Sequence, residues 1–269
     1  MKNITTLKIV TLLAWGAVFG AGEARAGAWT LNPGVGQVIT SITAGNASSY
    51  YADNSGKKLN KTELTVYGEY GVNPWLTAIV APRQQWFRYK QTGFANNGDF
   101  TSVEAGFRMR LWQSNASVFS FQLTGITSLR DSSSGGNNFG GKGVEYDVRG
   151  LYGYGISPFM VSKGEHADLF SLPMYVNAEI AFRGRPSPLS DEVRTDIALG
   201  IKPSDRWEIP LQYYGIYGLD DGYTGHKLQL SGIYAVAPDW LVQGGGYYTF
   251  AGSDFPKERG GLLAVWKKF

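Results

Sequence analysis

In four stretches of this sequence the charged residues all fall on one set of alternate positions, and mostly apolar residues fill the other set. In Thr101–Leu111, Ser102, Glu104, Gly106, Arg108 and Arg110 alternate with Thr101, Val103, Ala105, Phe107, Met109 and Leu111. Val144–Tyr154 sets Glu145, Asp147, Arg149, Leu151 and Gly153 against Val144, Tyr146, Val148, Gly150, Tyr152 and Tyr154. Met174–Arg183 sets Tyr175, Asn177, Glu179, Ala181 and Arg183 against Met174, Val176, Ala178, Ile180 and Phe182. Val193–Lys202 sets Arg194, Asp196, Ala198, Gly200 and Lys202 against Val193, Thr195, Ile197, Leu199 and Ile201. Successive side chains of a strand point to opposite faces, so each stretch has one apolar face and one face carrying both acids and bases. The polar face of a soluble sandwich meets bulk water, whereas charges inside an enclosure must find partners. Glu104, Arg108, Arg110, Glu145, Asp147, Arg149, Glu179, Arg183, Arg194 and Asp196 are therefore expected to line a lumen. There they either set selectivity, as rings of charge do, or neutralise one another and fill a narrow interior.

Hydrolytic chemistry would have to be assembled from few parts. The chain has no cysteine, which removes thiolate catalysis, disulfides and Cys-ligated metals. His166 lies beside Glu165 and Asp168 in Ser157–Leu169, a stretch expected to form a long turn. His226 follows Asp220-Asp221-Gly222 at the expected outer rim, a level at which some outer-membrane proteases hold Asp and His groups. Outer-membrane phospholipases pair a histidine with a serine two residues later, and here that position is Leu228. No nucleophile, base and orienter can be assembled, so His226 is expected in a surface hairpin loop and no catalytic residue is expected. Gly136-Asn137-Asn138-Phe139-Gly140-Gly141-Lys142-Gly143 approaches a phosphate-binding loop but lacks the Ser or Thr after the lysine and a following helix. Asp53, Asp131, Asp220, Asp221 and Asp254 are scattered without an oxygen-ligand spacing, so no metal and no cofactor are expected.

The elements that position the charged rows read as strands of one domain, residues 27–269. Residues 1–26 have a basic start (Lys2, Lys8), an apolar core from Ile9 to Phe19 and Ala24-Arg25-Ala26, the pattern of a secretory signal peptide cleaved before Gly27. Removing them takes away three bases and one acid, so the net charge falls from +3 to about +1, which argues against nucleic acid as a partner. The remainder has no apolar run of 18 residues, hence no transmembrane helix. With 36 glycines, 14% aromatics and only 17% charged residues, composition favours an all-β chain.

A recurring turn divides that chain. Gly71-Val72-Asn73-Pro74-Trp75-Leu76 is echoed at Gly155-Ile156-Ser157-Pro158-Phe159, at Gly200–Trp207 around Pro203, and at Val236–Leu241 around Pro238. Leu111-Trp112-Gln113-Ser114-Asn115 is a version without proline. Proline cannot donate to a ladder, and an aromatic residue just after it suits an interfacial girdle. Five such turns leave six segments with polar middles near residues 50–61, 89–100, 131–142, 184–192, 218–226 and 252–257. That is six hairpins: a closed antiparallel transmembrane β-barrel of about 12 strands, with short periplasmic turns and longer extracellular loops. The last stretch, Glu258–Phe269, fits a closing strand that removes both sheet edges, with Lys267 in a place where an apolar residue is usual. Whether residues 27–34 enter the periplasmic mouth is left open by the sequence.

The terminal Phe269, the opening Ala28-Trp29-Thr30-Leu31-Asn32-Pro33-Gly34-Val35-Gly36-Gln37 and the repeated Gly-Val/Ile-x-Pro turns carry a family resemblance. Together they resemble the Gram-negative outer-membrane barrels of the phenol meta-degradation pathway transporter type. The resemblance implies an outer-membrane location and insertion through the machinery that reads a terminal aromatic strand, here Phe269. It also implies outer-membrane lipid and lipopolysaccharide as surroundings, and passive passage of small molecules, aromatic or hydrophobic ones among them. The alternatives are a non-conducting structural or surface-interaction barrel and, third, an outer-leaflet hydrolase using His226.

Overall fold

In a computed structural model, which describes residues 27–51, 58–91, 94–131, 143–161, 170–186 and 189–269, the chain is a closed barrel. Its first six strands are β1 (Gly36–Tyr50), β2 (Lys58–Asn73), β3 (Leu76–Gln91), β4 (Phe94–Gln113), β5 (Ser117–Asp131) and β6 (Val144–Val161). The others are β7 (Phe170–Gly184), β8 (Glu192–Ser204), β9 (Trp207–Gly218), β10 (Thr224–Ala237), β11 (Trp240–Ser253) and β12 (Pro256–Lys268). Strands follow the wall in chain order, each antiparallel to its neighbours, and β1 pairs with β12 from Gln37↔Lys268 to Ala47↔Glu258 and, past a register slip, at Tyr50↔Pro256. The seam is finished by reciprocal backbone bonds, Gly36 N–H to the Phe269 carbonyl at 2.7 Å and Phe269 N–H to the Gly36 carbonyl at 2.9 Å. A Cβ on residue 36 would meet the Phe269 ring, so the glycine lets that ring lie against the seam.

Period-two alternation puts Ile42, Val80, Phe107, Tyr152, Ile180, Ile197, Leu230 and Leu263 on the exposed outer face. Arg108, Ser120, Thr124, Asp147, Leu151, Asn177 and Arg183 fall on the buried inner face. An apolar exterior around a polar interior is the inverse of a water-soluble domain and the pattern of a barrel set in hydrocarbon. Trp75, Trp112, Trp207 and Trp240 are all exposed at the end of the barrel that carries the tight turns 74–75, 114–116, 205–206 and 238–239. Trp112 shares the parity of inward-facing Arg110, yet it faces out because the β4–β5 register slips between them. Similar slips lie beside three other tight turns, at Gly71/Asn73, Ile201/Ser204 and Ala235/Ala237. A bulge that re-aims side chains at a barrel rim accounts for this girdle. Lys267, the anomaly of the terminal strand, pairs with Asp239 of the β10–β11 turn and lies 4.9 Å over the Trp240 ring. Its charge is thereby held at the rim rather than in the apolar band.

Several expected boundaries shift. Residues 89–91 and 94–100 are strand, not loop, because the β3–β4 ladder continues to Gln91↔Phe94. The connection 252–257 shrinks to Asp254-Phe255. Loops at that end are therefore not uniformly the longer ones. Pro158 sits inside β6 at a slip between Ile156 and Phe159, so the ladder passes the expected turn and runs on to Val161↔Phe170. His166 and the glycine-rich residues 136–142 lie outside the described residues, as do 1–26.

Candidate functional site

Residues 27–35 do not trail away from the barrel. They fold back through its lumen at the turn end, touching β2 to β7 in succession. Gly34 N–H donates to the Gly71 carbonyl and Gly71 N–H to the Val35 carbonyl, both at 2.9 Å. Leu31 N–H donates to Thr77 Oγ1 at 2.9 Å. The Trp29 carbonyl accepts from Arg108 Nη1 at 3.2 Å, and the Ala28 carbonyl accepts from the Ser120 hydroxyl. Ala28 is completely buried with Val118 and Leu151, and Trp29 packs against that cluster. Two inward-facing glycines make room. A Cβ at Gly71 would strike the Asn32 carbonyl, and one at Gly153 would sit 2.6 Å from the Trp29 ring. The segment thus acts as a strap along half of the inner wall.

Arg108 links the strap to the wall. Its Nη1 lies 2.9 Å from Glu69 Oε1, with the two side chains 4% and 0% exposed. Its Nε and Nη2 donate to Gln122 Oε1 at 3.1 and 3.0 Å, and Nη2 also reaches Tyr67 Oη at 3.3 Å. Glu69 is completed by Gln37 Nε2 at 2.8 Å and Tyr67 Oη at 2.5 Å. A buried ion pair survives only when its remaining lone pairs and protons are satisfied in this way.

A second network occupies β6–β8. Arg149 Nη1 reaches Glu179 Oε2 at 2.5 Å and Asp196 Oδ2 at 2.8 Å, and Arg149 Nε reaches Asp147 Oδ1 at 3.3 Å. Arg183 Nη2 binds the other Asp147 oxygen at 3.1 Å. One guanidinium therefore faces three carboxylates, one each from β6, β7 and β8. Glu145 lies on the same inner row, two residues before Asp147.

Of the other inner-face residues expected from sequence, Glu104 accepts from Thr124 Oγ1 at 2.8 Å, Arg110 bonds Gln113, and Arg194 pairs with Glu192 at 2.5 Å. Arg108 and Glu104 share a strand face but not a bond; Arg108 takes Glu69 instead. Sequence reasoning missed Glu69, Tyr67, Gln122, Glu192 and the strap contacts. The Lys61, Glu63, Thr65, Tyr67, Glu69 alternation in β2 was the available signal.

At the loop end, connections 185–191 and 219–223 are clasped together. Arg185 Nη1 lies 3.0 Å from Glu192 and Nη2 2.7 Å from Tyr223 Oη, which donates to Glu192 at 2.5 Å. Ser190 Oγ accepts the Asp220 N–H at 2.9 Å. Burial, then the bond to Glu192, holds the Tyr223 phenol above its ordinary value, so it stays protonated as the donor of this clasp. His226 is not in a surface loop. It lies in β10 on the outer face, its Nδ1 2.8 Å from Tyr213 Oη, among the rings of Tyr217 and Phe250. Ring packing against Tyr213, Tyr217 and Phe250 outweighs the turn-like Asp220-Asp221-Gly222 upstream.

No protein-family model matches the chain, and no curated protein matches it. Solved structures do. An outer-membrane channel from Pseudomonas putida F1 is 13% identical, with a TM-score of 0.63 over 92% of this chain and all of that one. The translocator domain of the autotransporter NalP from Neisseria meningitidis is 11% identical, TM-score 0.55, over 88% and 89%. The NanC porin is 10% identical, TM-score 0.51, over 86% and 100%. The fold is that of outer-membrane barrels. At such identities the likeness speaks for architecture and leaves activity to the residues of this chain.

Proposed function

We propose that the protein is an outer-membrane channel for passive diffusion of small solutes, narrowed by its own strap. The observation that carries this is the inner face itself. A closed barrel whose lumen holds partnered charges, rather than an apolar packed core, is arranged for water and polar solute. Resemblance to two structures described as a channel and a porin supports the same reading. In this reading residues 1–26 are a cleaved leader, the tight turns face the periplasm, Phe269 is recognised during insertion and lipopolysaccharide surrounds the loop end. Kinship with the transporters of the phenol meta-degradation type would make small aromatic molecules the solutes to screen. The protein works without catalysis or cofactor. A second reading, a closed structural barrel, draws on the strap and on the mutual neutralisation around Arg149.

Single-channel recording of purified 27–269 in a planar bilayer separates the two. Discrete, salt-dependent steps establish conduction; silence from a protein shown to be inserted and folded favours the closed barrel. The Arg149→Gln variant tests the lumen charges. It leaves Glu179 and Asp196 without their shared cation, so permeability for K⁺ over Cl⁻ should rise about threefold or more in a salt gradient. An unchanged reversal potential would remove these residues from the conduction path.

A further inference from the structure

The outer surface between β9 and β1 has a bare strip. Gly246 and Gly261 face outward on β11 and β12, next to the exposed Ala44 of β1. A Cβ at either glycine would meet nothing closer than 3.5 and 3.4 Å, so the strip is open rather than filled by neighbours. It floors a groove of about 510 Å³ flanked by Leu211, Leu228, Leu230 and Tyr248. At its head stand Arg259 and Asn46, directly opposite one another across the β1–β12 ladder.

Arg259 is exposed on the outer face near the loop-end start of β12. Lys257 follows on the same face, its ammonium 4.8 Å from the Tyr51 ring. The carboxylates within β9–β12 and β1 are Glu208 and Glu258, and both are engaged elsewhere. Glu208 accepts from Tyr175 at 2.6 Å; Glu258 accepts from Tyr247 and Lys227 at 3.0 and 3.1 Å. Among the described residues Arg259 therefore has no anionic partner. A guanidinium on a lipid-facing wall is tolerated only near the interface, and there the fitting counter-ion is a phosphate, which it binds in fork geometry. Directly below lies an apolar trough suited to an acyl chain.

We propose that this groove is a specific site for a phosphorylated lipid of the surrounding leaflet. The phosphate rests on Arg259 with the Asn46 amide beside it, and one acyl chain lies over Gly261 and Gly246 against Leu230 and Leu228. The site requires the barrel to sit in a membrane but not to conduct, so a silent bilayer recording would leave it untouched.

The test is native mass spectrometry of 27–269 released from detergent with diphosphorylated lipid A, its dephosphorylated counterpart, or phosphatidylcholine. The phosphorylated lipid should be retained about tenfold better than the dephosphorylated one. Arg259→Gln should abolish that preference, and Gly246→Ile should weaken retention of both saccharolipids by filling the trough. Arg88→Gln, which removes an exposed cation on β3 bonded to Asn97, should change nothing. Equal retention of the two lipid A forms by the unaltered barrel overturns the proposal, and that comparison stands even if a variant fails to fold. So does equal loss from Arg88→Gln and Arg259→Gln, which would mean diffuse charge attraction only.

Discussion

Deleting residues 27–33 is expected to raise single-channel conductance about twofold or more, since backbone and side chains are removed from the turn end of the lumen. The interior of a 12-strand barrel is only modestly wider than that of an eight-strand one filled by its own side chains, so a single strap takes a large share of the cross-section. The truncation should be tolerated by the fold. The β1–β12 seam begins at Gly36 and Gln37, beyond the deleted residues, and depends on Phe269 rather than on the strap. What it uncovers is Val118 and Leu151, apolar side chains that now sit beneath Ala28 and Trp29. A modest fall in melting temperature should therefore accompany the larger current. Two results would count against the strap as an obstruction: an unchanged conductance, or a rise matched by a variant trimmed only of Gly27. Gly153→Leu offers an independent route, because its side chain would take the space of the Trp29 ring with the strap otherwise intact.

The second large effect concerns stability. Arg108→Ala should destabilise the barrel by about 3–5 kcal/mol, the usual cost of stripping one partner from a buried ion pair. Glu69 would keep Gln37 and Tyr67 as donors but lose its compensating cation, and Gln122 and the Trp29 carbonyl would each lose a donor. Guanidinium unfolding of the micelle-bound barrel, followed by intrinsic fluorescence, reads this directly. The double variant Arg108→Met with Glu69→Gln should recover most of the loss, because it removes the orphaned charge along with its partner. If the double variant is as unstable as the single one, the energy resides in packing and not in charge compensation. Arg108 also anchors Trp29, so the single variant should share part of the conductance increase of the truncation.

Much of this architecture was readable from period-two alternation. The rows through Arg108, Arg149, Glu179 and Asp196 were evident because hydrocarbon outside and charge inside force the pattern on every strand between the girdles. Beyond the apolar band at the loop end both faces meet polar surroundings and the pattern loses contrast. For that reason residues 89–91 and 94–100 resembled a loop although they continue the β3–β4 ladder. Pro158 misled in the opposite direction: a missing N–H was read as a break, and the sheet absorbs it at a bulge. The partners of Arg149 were harder to read, since alternation assigns a face but not a cross-strand neighbour. The strap left the faintest trace. Ala28-Trp29-Thr30-Leu31 has no periodicity, and its docking sites are written as glycines at inward positions, Gly71 and Gly153, where a side chain would otherwise be expected.

The burial of Gly27 has a temporal consequence. Gly27 and Ala28 are enclosed, and a Cβ on residue 27 would lie 2.6 Å from the Asn177 side chain of β7. If residues 1–26 are the leader proposed above, the first two residues after the cut, Gly27 and Ala28, are enclosed by the finished barrel and out of a peptidase's reach. Proteolysis must then come first, while the chain is still extended. The freed amino terminus can then settle against Ser120 and Asn177.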